Sequence, residues 1–181
     1  MNKNRYILLD RDGVINHDSD DFIKSPEEWQ PIDGSLEAIA LLNEHGYKVA
    51  VITNQSGVAR GLFDEATLEK IHAKMRQMTA EKGGEIDAIY FCPHGPDDGC
   101  NCRKPKPGLL ESFAAEKNID LSGMIVIGDA LRDIQSAQAV GANPILVKTG
   151  KGQKTLTDNP DLTIPVFENL YDAAKHITSR P

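Results

Sequence analysis

Five short apolar runs, separated by segments with helical periodicity, constrain most strongly what this chain can fold into. Each run is bounded by polar or turn-forming residues, which is typical of strands that are buried on both faces. Because strands and helices alternate, we predict an α/β fold: a doubly wound, Rossmann-like parallel sheet with helices on both faces. The five predicted strands are residues 6–9, 49–52, 88–91, 124–127 and 144–147.

The segments between these runs predict helices that begin after Ser35, Asp64 and Pro107, because apolar residues there recur every three or four positions. Asp64 is a suitable N-cap for the second helix. Near the end of the chain we expect a short strand at 164–167 and a helix that begins near Asn169. The sequence contains neither a repeat nor an evident linker, so we expect residues 1–181 to form one domain.

The composition excludes several classes of function. A net charge of −7 over 181 residues disfavours binding to nucleic acid or to an anionic membrane. No apolar run is long enough to span a bilayer, and the N-terminal residues do not resemble a signal peptide. Three clustered cysteines make a poor disulfide framework. We therefore expect a cytoplasmic monomer without nucleic-acid or membrane partners.

Polar side chains follow the predicted strands, where ligands bind in parallel sheets. Asp10 and Asp12 follow the first strand, Thr53 the second and Asp129 the fourth, and Gly13 permits a sharp turn. Converging carboxylates need a cation or a proton, so the pattern predicts Mg²⁺. Taken alone, the aspartate pair could also form a solvated turn, but Thr53 and Asp129 favour the metal site.

A second group of possible metal ligands follows the third strand. Three thiols and one imidazole within eleven positions match the number of ligands in a closed tetrahedral zinc site. Unrelated thiols beside an unrelated histidine are the alternative. A structural zinc would fix the position of the basic pair Arg103–Lys104, which comes directly afterwards. The candidate zinc ligands are Cys92, His94, Cys100 and Cys102.

In order and spacing, these segments resemble the four motifs of the haloacid dehalogenase (HAD) superfamily of phosphohydrolases. The resemblance spans residues 5–147, and its motifs are Asp10-x-Asp12-Gly13-Val14, Thr53-Asn54, Lys104 and Gly128-Asp129-x-x-x-Asp133. It implies phosphoryl transfer through an aspartyl-phosphate, with Asp10 as nucleophile and Asp12 as general acid and base.

The resemblance also implies roles for the other motif residues. Mg²⁺ would be held by Asp10, Asp129 and the backbone carbonyl of Asp12. Thr53 and the Asn54 backbone N–H would bind phosphoryl oxygens, and Lys104 would neutralise charge in the transition state. Asp133 is either a supporting carboxylate or a favourable charge in the first turn of a helix.

Between Asp12 and Ser35 there is no room for the cap domain that selects the substrate in many relatives, so short loops must do so. Among capless relatives with a zinc loop, this chain resembles enzymes that remove the C7 phosphate of a heptose 1,7-bisphosphate in the synthesis of lipopolysaccharide core, and the resemblance implies the same reaction here. The segment 56–61 favours that small phosphorylated sugar as substrate. The residues aligned with the substrate loops are Asp18, Ser19, Asp20, Asp21, Thr53, Asn54, Gln55, Ser56, Arg60, Arg103 and Lys104.

Two alternatives and two local expectations remain. A histidinol-phosphate phosphatase would share the motifs and the zinc loop, whereas a phospho-accepting receiver domain would lack the hydrolytic aspartate at position 12. Some relatives carry lysine at the position of Ala130, so a substrate contact would be absent here. Gly150-Lys151-Gly152 lacks the pattern of a phosphate-binding loop and is expected to be a surface loop.

Overall fold

The computed structural model describes residues 5–180, and the predicted absence of a signal peptide falls partly outside them. It contains a six-stranded, entirely parallel sheet of strand order β3-β2-β1-β4-β5-β6. The strands are β1 (Tyr6–Leu9), β2 (Lys48–Asn54), β3 (Ala88–Cys92), β4 (Ile125–Gly128), β5 (Asn143–Val147) and β6 (Val166–Phe167). The α-helices are α1 (Ser35–Glu44), α2 (Glu65–Glu81), α3 (Gly108–Lys117), α4 (Leu131–Ala139), α5 (Gly152–Asp158) and α6 (Leu170–Thr178).

The predicted doubly wound α/β fold is confirmed, with two local differences. Strand β6 is shorter than the predicted 164–167, and Pro165 just before it has no N–H to donate to a neighbouring strand. The expected surface loop at 150–152 is wrong for Gly152, which begins α5. The backbone of Val147 lies so close to Gly152 that a Cβ there would meet its carbonyl oxygen at 1.7 Å. Close packing against β5 therefore explains the glycine.

Both faces of the sheet are buried, as the apolar runs predict. Ile7 and Leu9 of β1 belong to the core on one face, which α1, α2 and α6 cover. Tyr6 and Leu8 point to the opposite face, where α3 packs with Phe113 fully buried. Burial of each large aliphatic side chain stabilises the fold by about 1.5–3 kcal/mol. The hydrophobic pattern thus places helices on both sides of the sheet.

Side chains fix the starts of two predicted helices. Asp64 accepts a hydrogen bond from the Thr67 N–H at 2.8 Å and caps α2, as predicted. Asn169 accepts one from the Asp172 N–H at 2.9 Å and caps α6. Such caps satisfy backbone donors that a helix leaves unpaired in its first turn.

Strand β1 lies in the centre, between β2 and β4, so the chain winds in opposite directions on its two sides. This switch point is where open α/β sheets bind ligands. The segment between β1 and α1 contains a single short 3₁₀ helix, Pro26–Glu28, and no inserted domain. Its Trp29 is fully buried in the core. Among residues 5–180, no helix combines the length and apolarity needed to cross a membrane.

Candidate active site

Three buried carboxylates meet beyond the carboxyl ends of β1 and β4. Each of Asp10, Asp129 and Asp133 offers an oxygen within 4.8 Å of the others. Burial and the neighbouring negative charges raise the pKa of Asp10 to about 6 and that of Asp129 to about 8. Such crowding is unfavourable unless a cation or protons compensate it. A hard cation with oxygen ligands, such as Mg²⁺, therefore fits this site.

The two oxygens of Asp133 are already used by protein donors. Oδ1 accepts from Lys104 Nζ at 2.6 Å, and Oδ2 accepts from the backbone N–H groups of Asp129 and Ala130 at 3.2 and 3.1 Å. Asp10 and Asp129 each keep one oxygen without a hydrogen bond from residues 5–180. The oxygens left free on Asp10 and Asp129 suit a metal ion, whereas both oxygens of Asp133 are taken by protein donors. The ligand roles of Asp10 and Asp129 stay a prediction. The Asp133 carboxylate contacts Lys104 and also accepts a hydrogen bond in the first turn of α4, so its contacts are compatible with both interpretations.

Asp12 lines the same cleft, but its carboxylate lies outside this cluster. Oδ1 accepts from Arg11 at 2.9 Å and from Asn16 at 2.8 Å, while Oδ2 accepts from Gln55 at 3.0 Å. Burial alone would raise the pKa of Asp12, but the Arg11 guanidinium and these hydrogen bonds hold it below its usual value. A contribution of Asp12 to metal binding through its carbonyl stays a prediction.

Arg11 is a buried residue of the site that was not predicted from the sequence. Its side chain is fully buried, and its Nη1 lies 3.1 Å from Nε2 of His72 on α2. Burial and the Arg11 charge lower the pKa of His72 to about 3, so the imidazole is neutral and can accept the hydrogen bond. His72 therefore holds Arg11, and Arg11 holds Asp12.

Lys104 reaches Asp10 across the end of β2. Its buried ammonium group donates to Asp10 Oδ1 at 3.1 Å, to the Ile52 carbonyl at 2.8 Å and to Asp133 Oδ1 at 2.6 Å. Burial alone would lower the pKa of Lys104, but the carboxylates of Asp10 and Asp133 raise it, so the side chain is charged. The structure thus brings the predicted nucleophile and the predicted charge-neutralising lysine together.

The polar side chains after β2 position their neighbours. The Asn54 amide pairs with both backbone groups of Lys104, accepting from its N–H at 3.0 Å and donating to its carbonyl at 3.2 Å. Gln55 Nε2 donates to Thr53 Oγ1 at 3.0 Å as well as to Asp12. A contact through the Asn54 side chain was not predicted, and it joins β2 directly to the zinc loop.

The predicted zinc ligands converge. Ligand atoms of Cys92, His94, Cys100 and Cys102 all lie within 4.8 Å of one another. The separations are 3.7 Å for Cys92–Cys100, 3.5 Å for Cys92–His94, 3.3 Å for His94–Cys102 and 2.9 Å for Cys92–Cys102. All three cysteines are free thiols. Three sulfurs and one nitrogen gathered at one point match the ligand set of a structural zinc.

A cleft of about 200 Å³ opens above the carboxylates. Thr53 and Lys104 are almost completely buried beneath it, and Asp21 is the one predicted substrate-loop residue that neither lines it nor is buried below. The predicted residues that line it are Asp10, Asp12, Asp18, Ser19, Asp20, Asn54, Gln55, Ser56, Arg60, Arg103 and Asp129. Four further lining residues were not predicted as site residues: Phe22, Ile23, Arg132 and Lys151.

Lys151 is exposed in the turn after β5, as expected for a surface loop, and it also lines the cleft. Its N–H donates to Asp129 Oδ2 at 2.8 Å, and its ammonium group lies 3.7 Å from Asp18 and 3.9 Å from Asp20. The segment after β5 therefore forms one wall of the site. The pattern of a phosphate-binding loop could not identify Lys151 as a site residue, because Lys151 belongs to the site through its position beside Asp129.

Known proteins resemble this chain over nearly its whole length. A family model described as HAD-hydrolase-like matches residues 101–173. The D-glycero-beta-D-manno-heptose-1,7-bisphosphate 7-phosphatase of Pseudomonas putida is 53% identical over 96% of this chain and 99% of its own. The enzyme of the same name from Pseudomonas aeruginosa is 57% identical over 93% of this chain and 94% of its own.

A solved structure of an enzyme of this kind is also similar to this chain. The crystal structure of the D,D-heptose 1,7-bisphosphate phosphatase from B. bronchiseptica, complexed with magnesium and phosphate, superimposes with a TM-score of 0.93. It is 51% identical and covers 96% of this chain and 97% of its own. On this identity and coverage, the chain belongs to the family of D-glycero-beta-D-manno-heptose-1,7-bisphosphate 7-phosphatases within the HAD-like hydrolases.

Proposed function

We propose that this chain is a Mg²⁺-dependent phosphatase that removes the C7 phosphate of D-glycero-beta-D-manno-heptose 1,7-bisphosphate and releases heptose 1-phosphate for lipopolysaccharide core. The observation that carries the proposal is the buried contact of Asp10 with Lys104, 3.1 Å apart at the switch point of the sheet. We take residues 1–181 as one phosphatase domain. Three free thiols gathered for a metal support a cytoplasmic location.

In the first half-reaction, the Asp10 carboxylate attacks the C7 phosphorus. Oδ1 of Asp10 accepts from the Arg11 N–H at 2.8 Å and from Lys104, and these hydrogen bonds fix the carboxylate in the wall of the cleft. The new bond joins Asp10 to phosphorus, and the bond from phosphorus to the C7 oxygen breaks. Magnesium, held by Asp10 and Asp129, supplies positive charge that offsets the charge of the phosphoryl group.

Asp12 handles the protons of both half-reactions in this proposal. It gives a proton to the departing C7 oxygen, and then takes one from the water that attacks the aspartyl-phosphate and releases inorganic phosphate. Arg11, Asn16 and Gln55 favour its ionised form, which suits the second step. An anionic substrate in the cleft raises the pKa of Asp12, because like charge disfavours ionisation, and this allows proton uptake before the first step.

Turnover of an aryl phosphate with Mg²⁺, together with two variants, tests this mechanism. We expect both Asp10→Asn and Asp12→Asn to lose activity. Asp10→Asn protein should also show no covalent labelling when it is incubated with radioactive substrate. Phosphorus NMR of the heptose product should show that the C1 phosphate is retained. Stoichiometric labelling of the unaltered protein without turnover would contradict the proposal and favour a phospho-accepting receiver.

A further inference from the structure

Arg132 is a cleft residue that no step above uses. It lies in the first turn of α4, two residues after Ala130, and lines the cleft. Its Nε is buried and has no hydrogen-bond partner within residues 5–180. A buried donor without an acceptor is unfavourable and calls for an explanation.

The other basic side chains of the cleft wall have partners in the protein. Arg60 lies over the Phe22 ring, 5.4 Å from its centroid, and Arg103 donates to the His94 carbonyl at 3.3 Å. Lys151 is within 4 Å of two carboxylates. None of the ion pairs recorded among residues 5–180 includes Arg132. Arg132 is therefore the cleft cation most open to a ligand.

Arg60, Arg103 and Arg132 line the same cleft. Burial lowers the pKa of Arg103, and the positive charges of Arg132 and Arg60 lower it further. The three residues come from three different segments: the loop after β2, the zinc loop and α4. Guanidinium groups brought together in a cleft are stabilised by an anion between them, and their paired N–H groups suit a phosphate.

Lys104 already serves the phosphoryl group that reacts at Asp10, so a bisphosphate substrate leaves a second phosphate without a partner. We propose that Arg132, together with Arg103 and Arg60, binds the phosphate that the enzyme does not remove. Arg132 then determines specificity for a bisphosphate. This inference rests on the proposed function.

A competing role for Arg132 is electrostatic balance of the acidic cluster. Burial would lower its pKa, but the carboxylates of Asp10, Asp133 and Asp129 raise it. A residue that only balanced these charges would affect every substrate equally, because Asp10 and Asp129 serve all of them. A residue that binds the second phosphate would affect only substrates that carry one.

The experiment compares kcat/KM for the heptose bisphosphate and for an aryl monophosphate in Arg132→Met, Arg132→Lys and Lys82→Met. We expect Arg132→Met to lower the ratio of kcat/KM for the bisphosphate to kcat/KM for the monophosphate at least about tenfold. Most of this change should come from a higher KM for the bisphosphate. Arg132→Lys should restore part of the ratio, because charge without the planar fork still attracts phosphate. Lys82, whose side chain is 53% exposed beyond the end of α2, is the matched control and should change neither value.

Equal losses on both substrates, or no loss on either, would overturn the role of Arg132 while leaving the proposed function intact. Failure of the unaltered protein to hydrolyse the heptose bisphosphate, with normal aryl phosphatase activity, would instead overturn the proposed function and the inference with it. Weaker inhibition of aryl phosphate hydrolysis by heptose 1-phosphate in Arg132→Met is a second expected result, since this product carries only the retained phosphate.

Discussion

The position of the Asp12 carboxylate depends on residues for which no such role was predicted from the sequence. Arg11 and Gln55 hold its two oxygens, and His72 on α2 accepts a hydrogen bond from Arg11 behind them. Sequence spacing predicts that Asp10 and Asp12 share a site, and they do line one cleft. It could not predict that their carboxylates are held by different partners, because that depends on contacts between residues 61 positions apart.

Substitution of Gly13 tests whether the position of the Asp129 carboxylate sets the magnesium requirement. It has a φ of 86°, and a Cβ at this position would lie 2.0 Å from Asp129 Oδ2. We expect Gly13→Ala to displace Asp129 and to raise the Mg²⁺ concentration needed for half-maximal activity about tenfold or more. The measurement is activity as a function of Mg²⁺ concentration.

Gly46 is the matched control for this prediction. Its φ of 82° is nearly the same, but no atom lies within 4 Å of a Cβ placed there. Both alanine variants should lose about 1 kcal/mol of stability through backbone strain. An unchanged Mg²⁺ requirement in Gly13→Ala, or an equal change in Gly46→Ala, would show that contact with Asp129 is not the cause.

Among the structural elements, the loop that carries the four predicted zinc ligands brings Lys104 into the site. Cys92 ends β3, and the loop returns to the site at Lys104, whose backbone is held by Asn54. The ligand spacing alone predicted the four residues that converge here. The link through Asn54 could not be predicted, because an asparagine after a strand has many possible partners.

Removal of one zinc ligand tests whether the loop positions Lys104. We expect Cys100→Ser to reduce zinc from about one per chain and to lower kcat/KM on an aryl phosphate about 10- to 100-fold. Elemental analysis and kinetics on the same preparation check both effects. Asp98→Asn is the control, because Asp98 lies in the same loop and accepts from the Gly95 N–H at 2.7 Å without being a ligand. Full activity in zinc-free Cys100→Ser protein would contradict the positioning role.

The strands of the sheet were predicted more accurately than the helices that follow them. The strands of the sheet centre were predicted almost residue by residue because their apolar runs are unambiguous, and the residues after them became the site. Helix α5 was missed, since its seven residues contain few apolar positions. Arg132 was missed for another reason: the first turn of α4 faces the cleft only once the helix packs on the sheet.

At the scale of the whole molecule, the acidic site links stability to pH and to magnesium. Asp10 and Asp129 have pKa values of about 6 and about 8 in the fold, above the ordinary 3.8 of an aspartate. Groups with raised pKa values stabilise the fold when protonated, and this stabilisation is lost as pH rises through 6 and 8. Mg²⁺ held by the ionised carboxylates would oppose that loss.

We expect the protein, with zinc retained and magnesium removed, to lose thermal stability between about pH 4 and pH 8. Added Mg²⁺ should raise Tm more at about pH 8.5 than at about pH 5, because protons compete with the cation at the lower pH. Thermal unfolding with and without Mg²⁺ at both pH values checks this. In Asp129→Asn, the larger effect at high pH should disappear. A Tm gain that is the same at both pH values would contradict the assignment of these carboxylates.

We infer that this chain acts on a sugar bisphosphate and that short loops around the carboxylates supply its specificity. The most direct test is kcat/KM measured side by side on D-glycero-beta-D-manno-heptose 1,7-bisphosphate and on histidinol phosphate, with Mg²⁺ present. We predict a preference for the heptose bisphosphate of at least about a hundredfold, because the arginines of the cleft pair with a second phosphate that histidinol phosphate lacks. Equal values, or a preference for histidinol phosphate, would contradict the claim.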